Sequence, residues 1–337
     1  MASRPSQLIY VDDDLPGITR KRAGKGWAYY DAQGALITDR AEKKRLNAIA
    51  LPPAYTDAWF CPAHNGHILA TGYDAAGRKQ YRYHPEFRAW RESEKFDGCV
   101  AFGKMLPLVR KRYQQDMRSP KLGRDRAVAA VVKLLDLGAV RVGNTQYAKK
   151  NRSYGATTLQ HRHAEVTGKT LRLRYTAKGG KKRDVKLSDS SLARVVRRMQ
   201  DLNGQELFAW AGDDGEPCDV NSGHVNEYLR EVMGENFSAK NFRTWHASVM
   251  AFRLLGEATE KLSIKAVLSQ VAEHLGNTMA VTRKSYVHPA VIDLIGRQEE
   301  WRATLRLPRA TAYANQWERG LLEHLETAPA AQELLAA

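Results

Sequence analysis

Cysteine is scarce in this chain. The three present, Cys61, Cys99 and Cys218, form no Cys-x-x-Cys pair and leave an odd count. A disulfide framework is therefore excluded as the basis of the fold, and a reducing compartment is implied. Long apolar runs are missing too. None approaches the roughly 20 residues that a bilayer span requires, and the N-terminus lacks the apolar stretch that opens a secretory signal. We therefore expect a cytoplasmic protein with no membrane partner. The third shortage is negative charge: 37 Asp and Glu stand against 53 Lys and Arg, giving a formal net charge of +16 and a sequence pI of about 9.7.

What is present fits a large soluble fold with a polyanionic partner. The 337 residues, 43% of them hydrophobic, can fill one large domain or two ordinary ones. The basic excess is distributed rather than confined to a tail. It recurs from Lys104 to Arg126, from Lys149 to Arg198 and again around Arg243. A long phosphate-lined surface suits that distribution, so nucleic acid is the expected partner.

Residues 1 to about 88 read as β-rich. Trp27–Tyr30 and Ala35–Thr38 flank Asp31-Ala32-Gln33-Gly34 as a hairpin would, and a short charged helix is expected over Asp39–Ala48. A second hairpin is expected from His67–Tyr73 and Arg78–Tyr83 around Asp74-Ala75-Ala76-Gly77. Pro85–Glu94 reads as the linker. From Lys95 onward the apolar period is helical, as in Ala127, Val128, Val131, Leu134 and Leu135, with Gly138 as a C-cap. One β-hairpin interrupts it, Leu171–Thr176 with Arg183–Leu187 around Lys178-Gly179-Gly180-Lys181. Further helices are expected at 191–202, 220–232, 242–255, 263–275, 285–295 and 313–325, with a frayed end after Thr327. The fold class is α+β: a small N-terminal antiparallel sheet domain over 1–88 and a larger, mostly α-helical domain over 89–337 that embeds a hairpin or three-stranded sheet.

Several residues of the second half stand out by their setting. Arg141 follows a helix stop in Arg-Val-Gly-Asn, and Lys178 sits at a hairpin tip. Arg243 lies at a helix start in Lys240-Asn241-Phe242-Arg243-Thr244-Trp245, and Tyr286 follows Asn277 of Leu-Gly-Asn by nine positions. Taken singly, each has an ordinary explanation: an arginine at a helix start is usually a solvated charge, and a tyrosine before His-Pro usually packs. Cys61-x-x-His64-x-x-His67 lacks a fourth ligand at metal spacing, so no zinc site is expected. Asp213-Asp214-Gly215-Glu216 reads as a solvated turn.

As a set and in this order, these residues resemble the catalytic domain shared by type IB DNA topoisomerases and tyrosine recombinases. The topoisomerase branch fits better. Leu51-Pro52-Pro53-Ala54-Tyr55, Gly66-His67 and the run from Ala70 to Pro85 are similar to the N-terminal signature of bacterial and poxvirus members, a domain that recombinases do not have. Lys240 stands where recombinases usually carry histidine. The resemblance extends from about Lys25 to Pro289.

The resemblance implies a chemistry. Tyr286 would attack a phosphodiester of duplex DNA, leaving a 3′-phosphotyrosyl link and a free 5′-hydroxyl. Arg141 and Arg243 would hold the non-bridging oxygens, where planar guanidinium forks bind in a way that lysine cannot reproduce. Lys178 would protonate the departing 5′-oxygen, its acidity raised by neighbouring arginine charge, and Lys240 would be a secondary contact. Gln80, Tyr81 and Tyr83 of the small domain, with Asn144 and Tyr147 of the large one, would touch DNA. No cofactor, ATP or metal is implied, and the expected protein is a monomeric, nucleoid-associated clamp on supercoiled duplex.

One position departs from the commoner superfamily pattern. Asn277 stands where histidine is usual, and it can donate a hydrogen bond but brings no charge. His274 and His246 are nearby candidates to compensate. A tyrosine recombinase or strand transferase, and a noncatalytic DNA-binding architectural protein, remain the alternatives at this point.

Overall fold

The structure is a computed structural model that describes residues 5–234 and 237–336. The chain divides into two compact units, with the boundary between Lys95 and Phe96.

The first unit is a five-stranded antiparallel sheet in the order β2-β1-β3-β4-β5. Its elements are β1 (Ile18–Ala23), β2 (Gly26–Tyr30), α1 (Arg40–Ala48), β3 (Thr56–Phe60), β4 (Ile68–Tyr73) and β5 (Lys79–Tyr83). Asp39 caps α1 by accepting from the N–H groups of Ala41 and Glu42. The small core comprises Ile18, Tyr29, Leu46, Leu51, Phe60 and Ala70. The β4–β5 hairpin forms where its turn residues predict it, with Asp74 Oδ1 accepting from the N–H groups of Ala76 and Arg78. The other expected hairpin forms only in part. The Asp31–Gly34 turn is present, with the Asp31 N–H donating to the Ala35 carbonyl and the Ile37 N–H to the Tyr29 carbonyl, both at 2.9 Å, and an isolated bridge between Tyr30 and Leu36; the full strand partner of Trp27–Tyr30 is Ile18–Ala23, across a two-residue turn at Gly24, whose φ is 57°. Five of the six β1 residues are exposed or charged, so Thr-Arg-Lys-Arg shows no apolar alternation.

Helix α2 (Pro85–Asp116) spans the boundary, so Pro85–Glu94, expected as a linker, is helical. The second unit continues with α3 (Arg124–Gly138), α4 (Thr145–Asn151), β6 (Ala164–Thr167), β7 (Thr170–Thr176), β8 (Lys182–Ser188) and α5 (Ser190–Gln200). Then follow β9 (Ala209–Ala211), β10 (Pro217–Asp219), α6 (Ser222–Met233), α7 (Ala239–Glu257) and α8 (Ile264–Leu275). The last helices are α9 (Met279–Ser285), α10 (Pro289–Asp293), α11 (Gln298–Thr304), α12 (Gln316–Thr327) and α13 (Ala331–Ala336). The fold class read from the sequence is thus observed: strands β6-β7-β8 form a three-stranded antiparallel sheet within a largely helical body. The end after Thr327 departs from the frayed tail expected, since Ala331 is buried and its N–H donates to Asp97 Oδ1.

Helix α3 runs through the middle of the second core, with every residue from Arg126 to Asp136 buried. Its buried Asp136 is fully partnered. Asp136 accepts both arms of Arg110, the Tyr113 hydroxyl and His246 Nε2, while Arg110 also binds Glu318. This network joins α2, α3, α7 and α12, and so orients the helix that carries Arg243. The C-cap differs by one residue from expectation: Gly138 stays helical and Ala139 takes the left-handed conformation at φ 45°.

Candidate active site

Four of the residues singled out in the sequence meet in the second unit. Arg141 lies just past the left-handed Ala139, on a segment held by Ala156 and Thr157, whose N–H groups donate to the Arg141 and Val142 carbonyls at 2.8 and 2.7 Å. Gly155 permits that contact. A Cβ there would lie 2.5 Å from Gly143 N and 2.6 Å from the Arg141 carbonyl oxygen, both rigid backbone atoms.

Arg243 lies in the second turn of α7 and is buried. Its Nη1 donates to the Ala139 carbonyl at 2.5 Å, and its Nη2 donates to the Leu275 carbonyl at 3.0 Å and to Asn277 Oδ1 at 3.3 Å. Asn277 is placed by the end of α8, where Gly276 adopts φ 64° and the Asn277 N–H returns to the Ala272 carbonyl, a Schellman closure. Asn277 Oδ1 also accepts from Arg141 Nη2 at 2.5 Å. With both guanidinium groups on Oδ1, the amide orientation is set, and Asn277 Nδ2 is buried without a partner among the described residues.

Tyr286 occupies a break between helices. The sequence predicts one helix over 285–295, but Tyr286 has φ −137° and Pro289 begins a new helix, so the chain is interrupted where the phenol is presented. Ser248 of α7 fixes the break: its hydroxyl accepts from the His288 N–H at 2.9 Å and lies 3.3 Å from the Tyr286 carbonyl oxygen. The Arg243 guanidinium lies 5.0 Å from the Tyr286 ring centre.

The electrostatics of the site favour negative charge. Burial raises the Tyr286 pKa, yet Arg243, Arg141 and Lys240 together bring it below the ordinary tyrosine value. Burial, followed by the charge of Arg141, lowers Arg243 to about 10. Among the described residues, neither guanidinium has a carboxylate partner, whereas the half-buried Arg110 has two, Asp136 and Glu318. Two uncompensated arginines, one buried unpaired amide donor and a phenol biased toward phenolate suit an incoming phosphodiester.

Comparison with known proteins places the chain in a family. The family model described as "Eukaryotic DNA topoisomerase I, catalytic core" matches residues 84–304, about two thirds of the chain. This protein belongs to the type IB DNA topoisomerase family. A second model, "Bacterial DNA topoisomerase IB, N-terminal domain", matches residues 26–74. The chain is 28% identical over 301 residues to DNA topoisomerase 1B of Acanthamoeba polyphaga mimivirus, covering 85% of this chain and 90% of that one. It is 26% identical over 208 residues to DNA topoisomerase 1 of Mycosarcoma maydis, covering 54% of this chain but 20% of the fungal protein. Among solved structures, the XerH site-specific recombinase bound to palindromic difH substrate aligns with a TM-score of 0.38 at 15% identity, over 57% of this chain and 50% of that one.

The remaining candidates of this topoisomerase are placed as follows. Lys240, one turn before Arg243, is exposed, and its charge reaches Tyr286. Lys178 is exposed at the β7–β8 turn and makes no hydrogen bond to the other four. His246 is committed to Asp136 at 2.9 Å and so belongs to the structural network. His274 lies at the end of α8 with its outer edge in solvent, and partial desolvation of the ring by its neighbours, followed by the charges of Arg183, His246 and Arg243, lowers its pKa. Asn144 caps α4 by accepting from the Tyr147 N–H, which leaves the Tyr147 side chain exposed on that short helix. In the first unit, Tyr81 and Tyr83 are exposed on one face of β5 with stacked rings 5.7 Å apart, whereas Gln80 Nε2 binds Asp74.

Two neighbours were not read from the sequence. Lys181 Nζ donates to the Asn277 carbonyl at 2.7 Å, and Arg183 donates to the Glu273 and His274 carbonyls at 3.0 and 2.6 Å. They tie the β7–β8 hairpin to the C-terminal carbonyls of α8, a favourable place for cations. The spacing offered a faint signal: Lys178, Lys181, Lys182 and Arg183 cluster at a hairpin whose core needs none of them.

Proposed function

We propose that this type IB topoisomerase relaxes supercoiled duplex DNA of either sign by cutting and resealing one strand through Tyr286. The observation that carries the reading is the Tyr286 phenol set against Arg243 and Arg141, two guanidinium groups without a carboxylate, beside the unpaired Asn277 amide.

The phenolate oxygen of Tyr286 attacks phosphorus while the bond to the 5′-oxygen breaks, giving a 3′-phosphotyrosyl enzyme. Charge that builds on the non-bridging oxygens meets Arg141, Arg243 and Asn277 Nδ2, donors already oriented and needing little reorganisation. Lys178 gives a proton to the departing 5′-oxygen, and Lys240 adds positive charge at the phenol. Phosphodiester and phosphotyrosine are close in energy, so the reverse attack by the 5′-hydroxyl reseals the strand without ATP, and the scheme requires no metal. Between the two steps the nicked strand swivels. The exposed position of Lys178 suits a hairpin that meets its partner only on DNA, since catalytic contacts often tighten on substrate binding.

Gln80, Tyr81 and Tyr83, together with Asn144 and Tyr147, contribute DNA contacts in this reading, and a single copy acts as a clamp on duplex in the cytoplasm. The test is incubation of negatively and positively supercoiled plasmid with EDTA and no ATP, comparing wild type with Tyr286→Phe and trapping adducts with detergent. Relaxation of both signs with a 3′-linked adduct, both lost in the variant, is expected. Binding without relaxation by the wild type would overturn the reading in favour of an architectural role.

A further inference from the structure

The three-stranded sheet borders a second basic feature that the cleavage scheme does not use. A cleft of about 550 Å³ is walled by Tyr154, His163 and Tyr175 and rimmed by Arg152, Arg162 and Lys182. Its charges are only partly compensated. Among the described residues Asp184 is the one carboxylate lining the cleft, and it is shared between Arg172, outside the lining, at 2.6 and 2.9 Å and the lining Arg174 at 3.6 Å, which also meets Glu165 at 3.4 Å. Arg162 donates to the Tyr154 hydroxyl at 3.1 Å, while Arg152 and Lys182 have no acidic partner among the described residues. Arg152 is also held in the left-handed region at φ 46°, the C-cap position of α4 where glycine is usual. Such strain at a non-glycine residue clusters at binding sites.

The cleft lies close to the end of α8 that positions Asn277. Arg183 lines the cleft while donating to the Glu273 and His274 carbonyls, and the charges of Arg183, Arg243 and Arg141 act on the buried Tyr175 phenol that also lines it. The wall is aromatic as well as basic: the Tyr154 and His163 rings lie 4.4 Å apart. Ring faces beside cations suit a sugar-phosphate better than a bare inorganic anion.

We propose that this cleft is a phosphate-binding subsite, distinct from the Tyr286 pocket, that holds a backbone phosphate of the DNA being cleaved. The assignment rests on the topoisomerase reading above. Arg152, Arg162 and Lys182 supply the donors, and the aromatic wall packs against the adjoining sugar. A soluble polyphosphate has the same anionic chemistry and is the other possible source.

The experiment measures DNA affinity against salt in a Tyr286→Phe background, with and without Arg152→Ala/Lys182→Ala, alongside Lys169→Ala as an exposed control on the same sheet. Loss of a phosphate contact should lower the slope of log K against log salt by about 0.9 per phosphate, and the control should not change it. Calorimetric titration with inorganic tripolyphosphate, without DNA, forms the second arm. A reduced slope with no saturable tripolyphosphate binding supports the DNA backbone as the source. Saturable binding lost in the double variant, with an unchanged slope, supports a soluble phosphate ligand. Unchanged slope and no tripolyphosphate binding would overturn the subsite. Plasmid relaxation by enzyme with Tyr286 intact is scored separately, so failure of the subsite and failure of the topoisomerase reading are distinguishable.

Discussion

Arg243 and Tyr286 face one another across 5.0 Å, a buried guanidinium over the ring of the proposed nucleophile. The pairing works in both directions. The phenolate would neutralise a guanidinium that no carboxylate of the described residues reaches, and the guanidinium offsets the burial that would otherwise keep the phenol protonated.

Cleavage by the wild type should therefore rise with pH and level off below the ordinary tyrosine value of about 10, because lowering the pKa populates phenolate at lower pH. Arg243→Ala should move the inflection upward and Lys240→Ala should move it upward by less, in single-turnover cleavage of a suicide duplex. Arg243→Lys keeps a charge but loses the fork and should cost about 10²-fold or more in rate. An inflection that stays put in both alanine variants would mean that these cations do not set the phenol's acidity.

Asn277→Asp separates the fold's needs from those of the reaction. The new carboxylate would sit where Asn277 Oδ1 already accepts from Arg141 and Arg243, supplying the missing counter-charge without changing shape. Thermal stability should hold or rise, while the cleavage rate should fall by about 10²-fold or more because the site no longer favours a phosphate and loses its amide donor. Equal losses of stability and rate would show that the two arginines do not form an open anion site.

Gly155→Ala tests whether Arg141 is positioned by backbone contact. The added Cβ meets Gly143 N and the Arg141 carbonyl, neither of which can rotate away. We expect destabilisation of about 1–3 kcal/mol from overpacking and a disproportionate loss of cleavage, since displacements of about 1 Å can cost about 10²-fold. Gly98→Ala is the control: it lies within α2 with nothing inside 4 Å of its Cβ position, so stability should rise by up to about 1 kcal/mol. Wild-type rates in the Gly155 variant would remove the positioning argument.

The legible parts of this molecule were those written in local chemistry. Asp74-Ala75-Ala76-Gly77 and Lys178-Gly179-Gly180-Lys181 carry their own turns, and α3 declares itself by an unbroken apolar face. Arg141, Arg243, Asn277 and Tyr286 were identified as a set from order and resemblance, and they do converge. What escaped depends on pairing at a distance. Half of strand β1 is charged, and it becomes a strand because β2 and β3 flank it. The break at Tyr286 depends on Ser248, 38 residues earlier, and Lys181 gains meaning only when the end of α8 comes within reach. Pro85–Glu94 looked like a linker because its mixed, charged residues hide a helix that continues to Asp116.

Asp136→Asn addresses the network beneath the site. Asp136 is buried and, against the cost of burial, its carboxyl is held well below the usual range by His246 and Arg110. A depressed folded pKa contributes stability that is present above the unfolded value of about 3.9 and is lost as pH falls toward the folded one. Removing the charge leaves Arg110 with Glu318 as its one carboxylate partner among the described residues and His246 without its charged partner, so a loss of about 3–5 kcal/mol is expected at neutral pH. The gap between wild type and variant in thermal melting should narrow steadily as pH falls below about 4, because acid protonates in the wild type what the variant has already neutralised. A gap that is constant from pH 7 to pH 2 would assign the loss to packing and hydrogen-bond geometry instead of charge, and would remove the ionised Asp136 from the account of how α7 is oriented.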